Sequence, residues 1–550
     1  RSPVRDALVA AGAVAVAPLS ELLSGSPSTA SATSAAWILG ELGAHVAAPA
    51  IVSAMRRGAL PTSAAMRGLA GAGTMRDVPV VLEFVADPNP TVRGEAINAA
   101  MSLLDPTRPD GRVVEPIAAA LRDPNCSVQD RARIARLLGR TGAPRAAPVL
   151  LELVRARDMT LRLAAMDALG ALGPAGSRVD EVLAEAVGSP DATVRLHAAV
   201  ALSRSGSSRA RDSLLKTLDQ GDEVDRPAVL AALGGALARA PTEDAVARLR
   251  TALDLAAGPE RDALIEAIGR APVASAVRVL TNLSASNEPA DRRAVATLLA
   301  GHPADAAALA AVRAMLTDAD PAVRAQAAWS LGSLGDGGDL LRLDRIARGA
   351  DGRRGANIDP AIDATAAIGR IAARSRGSEL QTAIRSLCAL ASDPRAYVRA
   401  NALAGVAAAK ARCADGSLER HLLLDDDNED VRAAAAIAVW SGPAMRGDLA
   451  GPSAEDRSTL ERCAHSDRSG AVAARCERRP AAASAPAAGE AMLVYVVPDS
   501  GTTPRPGCAY AMLLGDGMIR AGTADRRGAV FDPVAPSGEV TLRQLGALSK

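Results

Sequence analysis

The residue types that most often carry chemistry are sparse in this sequence. Five histidines occur, His45, His197, His302, His421 and His465, with no two at metal-ligand spacing and no HExxH. The six cysteines, Cys126, Cys388, Cys413, Cys463, Cys476 and Cys508, form no CxxC pair, so zinc-site spacing is absent too. No GxSxG, Walker A or GxGxxG stands between a strand pattern and a helix pattern. A nucleophile needs a base beside it, and with so few His and Cys such a pair is hard to build. Acidic pairs are abundant but fall in turns, where helix capping accounts for them. The chain is therefore expected to be non-enzymatic, with no catalytic residue, no cofactor and no bound metal.

Four features are left as candidates for interaction. Arg353 and Arg354 sit among glycines in GADGRRGANIDP (349–360), a basic loop suited to an anion or a partner. Asp425, Asp426 and Asp427 crowd LLDDDNED (423–430), where they are expected to cap a helix N-terminus. Trp37 and Trp329 occupy one slot of a recurring phrase, about 120° from its apolar face, either as fillers between helices or as exposed contact points. Cys463 and Cys476 fall in consecutive predicted helices around the turn HSDRSGA, close enough to form a disulfide. Such a bridge would place the chain in an oxidising compartment, the cell envelope or periplasm; otherwise it would be cytoplasmic.

The elements that position these residues come from a repeat. TDADPAVRAQAAWSLGSLG (317–335) is echoed by GSPDATVRLHAAVALSRSG (188–206) and SDPRAYVRANALAGV (392–406). The apolar anchor after each turn recurs as Val92, Val128, Leu161, Val194, Val224, Val323, Ile362, Val398, Val431 and Val472, most often near 33 residues apart. Each unit is read as two helices, and about 14 units fit. In the second helix Asp320 is the expected N-cap and Pro321 the first residue. Val323, Ala327, Leu331 and Leu334 share one face, and Gly335 stops the helix. One hairpin cannot bury such a face alone, so neighbours must stack on it, giving an α-solenoid. Arg93, Arg162, Arg195, Arg324, Arg399 and Arg432 follow the anchors, each expected to bond to an Asp or carbonyl of its own or the adjacent unit. Gln129 is expected to break that series. The middle units, such as GPERDALIEAIGRA (258–271), lack the Val-Arg pair and are expected to loosen the stack.

The phrase D-P-x-V-R-x-x-A-A-x-x-L-G-x-L-G resembles bacterial HEAT repeats, including the phycobilisome-lyase-type HEAT-like group, over residues 1–478. That resemblance implies a right-handed superhelix whose concave face is lined by the second helices. It also brings two alternatives: a phycobilin-lyase-like enzyme or chaperone, and a nucleic-acid-binding HEAT-like protein.

After residue 478 the pattern changes. Residues 479–490 hold PAAASAPAAG, a Pro/Ala linker. AMLVYVV (491–497), CAYAMLL (508–514) and EVTLRQL (539–545) are strand-like, with turn signals at Asp516-Gly517 and DRRG (525–528). A small all-β sandwich or barrel is expected over 491–550. Its PGCAYAMLLGDGMIRAGTADRRG string resembles prealbumin-like or carboxypeptidase-regulatory-like β modules, which implies a docking role.

Bulk composition narrows the partners. The 550 residues are 49% hydrophobic but 1% aromatic, so Ala, Leu and Val must fill the interior, as closely packed small helices allow. With 63 basic and 62 acidic residues the net charge is +1, which offers no field to steer a polyanion, and so few aromatics give no stacking platform for bases. Only Lys216, Lys410 and Lys550 are lysines. No apolar run reaches 18 residues, so no membrane span is expected. The chain opens at Arg1 rather than methionine, compatible with an upstream targeting segment. The expected partner is a protein held on the concave face, with the β module as a second docking site and no small-molecule substrate.

Overall fold

The computed structural model describes residues 5, 8–9, 12–123, 126–219, 226–349, 358–414, 416–441, 452–477, 491–497, 503–536, 538 and 540–542. Arg353, Arg354, the anchor Val224 and the linker 479–490 lie outside them. The chain is mainly α, an α-solenoid of helical hairpins with a small strand-containing region at its C-terminal end. It divides into two compact units, 1–240 and 241–550. No helix among the described residues is long and apolar enough to cross a membrane.

Both units use the same construction. The phrase at 317–335 folds as Pro321–Leu334, capped by Asp320, whose carboxylate accepts from the N–H groups of Ala322 (2.8 Å) and Val323 (3.2 Å). Gly335 ends it in extended backbone, not in the left-handed conformation usual for a terminal glycine. A Cβ there would meet the Leu331 carbonyl oxygen at 2.7 Å, so the tight exit explains the residue. In the first unit the helix Ala192–Ser205 repeats the device with Asp191 as its cap.

The arginine series is a ladder of rungs. In most of these second helices the arginine is the fourth residue, and it reaches back to a carbonyl before its own helix. Most rungs also reach forward to an Asp of the next unit. Arg93 donates to the Asp87 carbonyl (2.7 Å) and pairs with Asp130 (2.7 Å). Arg399 donates to the Asp393 carbonyl (2.9 Å) and pairs with Asp426 (2.8 Å). Arg432 does the same with Asp426 and Asp467. One expectation is corrected by this geometry. Arg131, not Gln129, holds the fourth position of Val128–Arg140 and donates to the Leu121 carbonyl, so the series continues; the anchor position of this helix is Asp130, two residues past Val128. The middle units also keep it, through Arg261 to Asp291 and Arg292 to Asp318. Their anchor position holds Glu260 or Asp291 instead of Val, which hid the arginine beside it.

Five second helices of the second unit meet the strand region: α1 (Gly258–Gly269), α2 (Pro289–Leu299), α3 (Pro321–Leu334), α4 (Pro360–Arg374) and α5 (Ala396–Ala408). The strands are β1 (Met492–Tyr495), β2 (Ala509–Leu513), β3 (Ile519–Thr523), β4 (Ala529–Asp532) and β5 (Thr541–Leu542). They form two antiparallel sheets, β1–β4 and β3–β2–β5. Both expected turns are present, with Gly517 (φ 81°) and Gly528 (φ 74°) in the left-handed region that glycine tolerates. The strands belong to the same compact unit as the helices from Pro241 onward.

Candidate functional site

The most developed polar constellation of the second unit is the contact between its strands and its second helices. Among the described residues β3 is an edge strand, paired with β2 on one side only. Buried N–H and C=O groups on the other side would cost about 1–3 kcal/mol each if left unpaired. Helix side chains supply the missing partners. The Asn401 carboxamide on α5 accepts from the Ile519 N–H (2.7 Å) and donates to the Ile519 carbonyl (2.8 Å), as a neighbouring strand would. Its NH2 group also reaches the Ile362 carbonyl (2.9 Å), and Asn401 is fully buried. Two residues on, the Ala521 N–H points to Asp363 on α4 (3.4 Å).

Asp363 stands where the ladder arginine would be, at the fourth position of α4. It is buried, and burial pushes its carboxyl well above the usual carboxylate range against the pull of Arg520. One rung is thus replaced by an acceptor for the strand.

Between Asn401 and Asp363 along the strand lies Arg520, 2% exposed. It pairs with Asp532 of β4 (3.0 Å) and donates to Gln326 on α3 (2.6 Å). Asp532 also accepts from the Trp329 indole N–H (2.8 Å), and Trp329 is 2% exposed. Arg370 of α4 stacks over the Trp329 ring, 3.8 Å from its centroid, and pairs with Asp516 in the β2–β3 turn (2.8 Å). The Trp329 ring packs into a cluster with Ala366, Ala404, Tyr510, Met512, Leu514, Met518 and Val530. Close approach makes room for this. A Cβ on Gly369 would lie 2.7 Å from both the Gly405 Cα and the Met518 Cε.

The strand then continues onto α2 and α1. Arg293 donates to the Thr523 hydroxyl and to the Ala524 carbonyl (3.2 Å). In the turn before β4, Arg526 pairs with Asp262 (3.3 Å) and Asp291 (3.0 Å), and Arg527 with Glu266 (2.5 Å). Burial raises the Asp262 carboxyl to about 6, opposed by Arg526. Asp291 is fully buried too, but hydrogen bonding and charge from Arg261 and Arg526 overcome that burial and hold its carboxyl low. One run, residues 516–527, thus touches five consecutive second helices. A cavity of about 60 Å³ remains beside it, lined by Asp262, Glu266, Arg293, Gln326, Tyr510 and Arg520. That is room for a few waters and far below the volume of a metabolite site. Among the described residues no group of three or more His, Cys, Asp or Glu is placed to hold a metal ion.

The sequence-derived candidates fall in different places. Trp329 is inside the strand–helix contact, not on the surface. Trp37 is half-buried in the first unit, with Arg5 5.5 Å from its ring centroid. The three aspartates do not share a helix N-terminus. Asp425 is the last residue of Ser417–Asp425 and meets His421 (2.8 Å), Asp426 takes the Arg399 rung, and exposed Asp427 lies 3.4 Å from Arg468. The helix break falls later in the run than its acidity suggested. Cys463 and Cys476 form a disulfide with Sγ–Sγ 2.06 Å. A second disulfide, Cys388–Cys413, was not foreseen from the sequence. It ties the helix Gly377–Leu390 to the turn after α5. Cys126 and Cys508 are free. A cavity of about 270 Å³ beside Cys463 is lined by Asp425, Arg432, Asp467 and Arg468, all four already engaged with partners. The residues that reasoning from sequence missed are Asn401, Asp363, Gln326 and Arg520. Asp363 carried a signal, as an acid directly after the anchor Ile362, where most anchors are followed by Arg.

Several solved structures are similar to this chain. Kap95p, in a complex with RanGDP, is 14% identical with a TM-score of 0.40; the match covers 80% of this chain and 65% of that one. Importin beta is 15% identical with a TM-score of 0.41, covering 76% of this chain and 68% of that chain. Human deoxyhypusine hydroxylase is 20% identical with a TM-score of 0.21, covering 61% of this chain and 96% of that chain. No curated protein matches. The family model for HEAT repeats matches residues 114–190 and 276–358, one stretch in each compact unit, so the hairpins stacked there are HEAT repeats.

Proposed function

We propose that this chain is a non-catalytic HEAT-repeat scaffold that holds protein segments on its second-helix face. One observation carries the reading: in the second unit that face seats a polypeptide run through side chains matched to its backbone and its arginines. Helix residues that complete the edge of a strand do the work of β-augmentation without a strand of their own. The two disulfides favour an oxidising compartment, such as the cell envelope or periplasm.

Affinity capture from the native source with cross-linking tests the role. The expected result is a protein cross-linked to second-helix residues. Turnover of a substrate by the purified chain in an untargeted screen would refute it. A thiol count tests the compartment: protein isolated without reductant should show two free thiols, Cys126 and Cys508. Six would remove that part of the reading.

A further inference from the structure

The strand region depends on the helices for its core. Its large apolar residues, Tyr510, Met512, Leu514, Met518 and Val530, share one cluster with Trp329, Ala366 and Ala404 of α3, α4 and α5. A segment of this size is marginal as an independently folding unit. Its edge strand finds its outer partners in Asn401 and Asp363. Opposite charges are sorted across the contact: Asp262, Glu266 and Asp291 on the helices face Arg526 and Arg527 on the strand side, and Arg370 faces Asp516. Every contact described between the two is non-covalent.

We propose that the face of α1–α5 is a receptor for an edge strand that carries a buried arginine and ends in an arginine pair. Residues 508–532 are its tethered ligand, and the same segment of a second copy fits the face equally well. The recognition elements are the Asn401 amide for the strand backbone, Gln326 and Trp329 around the Arg520–Asp532 pair, and Glu266 with Asp262 and Asp291 for the arginine pair. None of these distinguishes a segment arriving from its own chain from one arriving from another. The tether at 479–490 sets only the effective concentration. Severing it turns an intramolecular contact into a bimolecular one with identical chemistry. This inference rests on the scaffold reading but has its own test, and its failure leaves the capture experiment unaffected.

The experiment uses the full chain with a specific protease site placed within 479–490. After cleavage the fragment containing residues 491–550 should co-elute with the helical body on gel filtration at micromolar concentration. Mixing cleaved chains of natural and 15N-labelled protein should then carry heavy fragments onto light bodies, read by mass spectrometry, until the two are scrambled. Release of the fragment on cleavage overturns the proposal, as does co-elution in which no label crosses between bodies. A charge-reversal pair guards against misfolding. Glu266→Arg should weaken retention at least tenfold, and adding Arg527→Glu should restore it. Equal retention in the single and double variants overturns the assignment of the arginine pair.

Discussion

Two copies of one phrase meet different fates. In the first unit the helix 192–205 has its Asp cap, its Val anchor at Val194, and Arg195 reaching back to the carbonyls of Ser189 and Pro190. In the second unit α3 has the same cap, Val323, and Arg324 reaching back to the carbonyls of Asp318 and Ala319. The frame is shared; the outward positions are not. Leu196 and Val200 remain 43% and 37% exposed, and His197 meets Asp167 (2.6 Å). Gln326 and Trp329, three and six positions past Val323, are buried against Arg520 and Asp532. The residues that build a repeat are therefore distinct from those that make it a binding face.

The sharpest way to break that comparison is at the two equivalent side chains, Trp329 and Val200. Trp329→Ala removes an aromatic ring, an N–H donor and the platform under Arg370, and is expected to cost about 3–5 kcal/mol. Val200→Ala should stay within about 0.5 kcal/mol. Denaturant unfolding, with transitions assigned by hydrogen exchange, measures both; equal losses would erase the distinction.

The next effect comes from the disulfides, which both lie in the second unit, while Cys126 of the first is free. Closing the loop between Cys388 and Cys413, 25 residues apart, is worth about 2–4 kcal/mol. Reductant should lower the melting transition of the second unit and leave that of the first unchanged in calorimetry.

Asn401→Leu keeps the volume and removes the partners of the Ile519 N–H and carbonyl, for an expected loss of about 2–3 kcal/mol. Amide exchange at Ile519 should accelerate far more than at the β2–β3 amides on the other side of the strand.

The smallest effect depends on pH. Asp262 has a carboxyl raised to about 6 in the fold against an ordinary 3.8. Between those values the folded chain binds the extra proton, so this group's contribution to stability falls as pH rises through the window and stays lost above it. Asp262→Asn should therefore gain roughly 1–3 kcal/mol above pH 6, the Arg526 attraction being already contained in that shift, and nothing below pH 4. A thermal-melt series from pH 4 to pH 8 should show a flatter slope for the variant.

The repeat was legible because it is local. Cap, anchor, arginine and stop fall within one helix and recur, so period and chemistry reinforce each other. The ladder role of the arginines followed for the same reason, and so did the pairing of Cys463 with Cys476 across a short turn. The strand–helix contact was not legible. Its bonds join residues such as Glu266 and Arg527 that no periodicity relates, and each member has an ordinary local role. Asn401 and Gln326 look like solvated helix residues until a partner is placed over them. The acidic run 423–430 was misplaced because a helix C-terminus and the turn after it share the same composition.

The strand crossing five helices has a thermodynamic consequence. In a stack where each repeat touches only its neighbours, stability is close to a sum of local terms, and unfolding can begin at one end and spread repeat by repeat. A single run that bonds to Glu266, Arg293, Gln326, Asp363 and Asn401 adds couplings that skip over neighbours. Residues 258–408 then gain a reason to unfold together in one cooperative step, whereas a stretch built of the same hairpins without such a crossing keeps the graded response of a one-dimensional array.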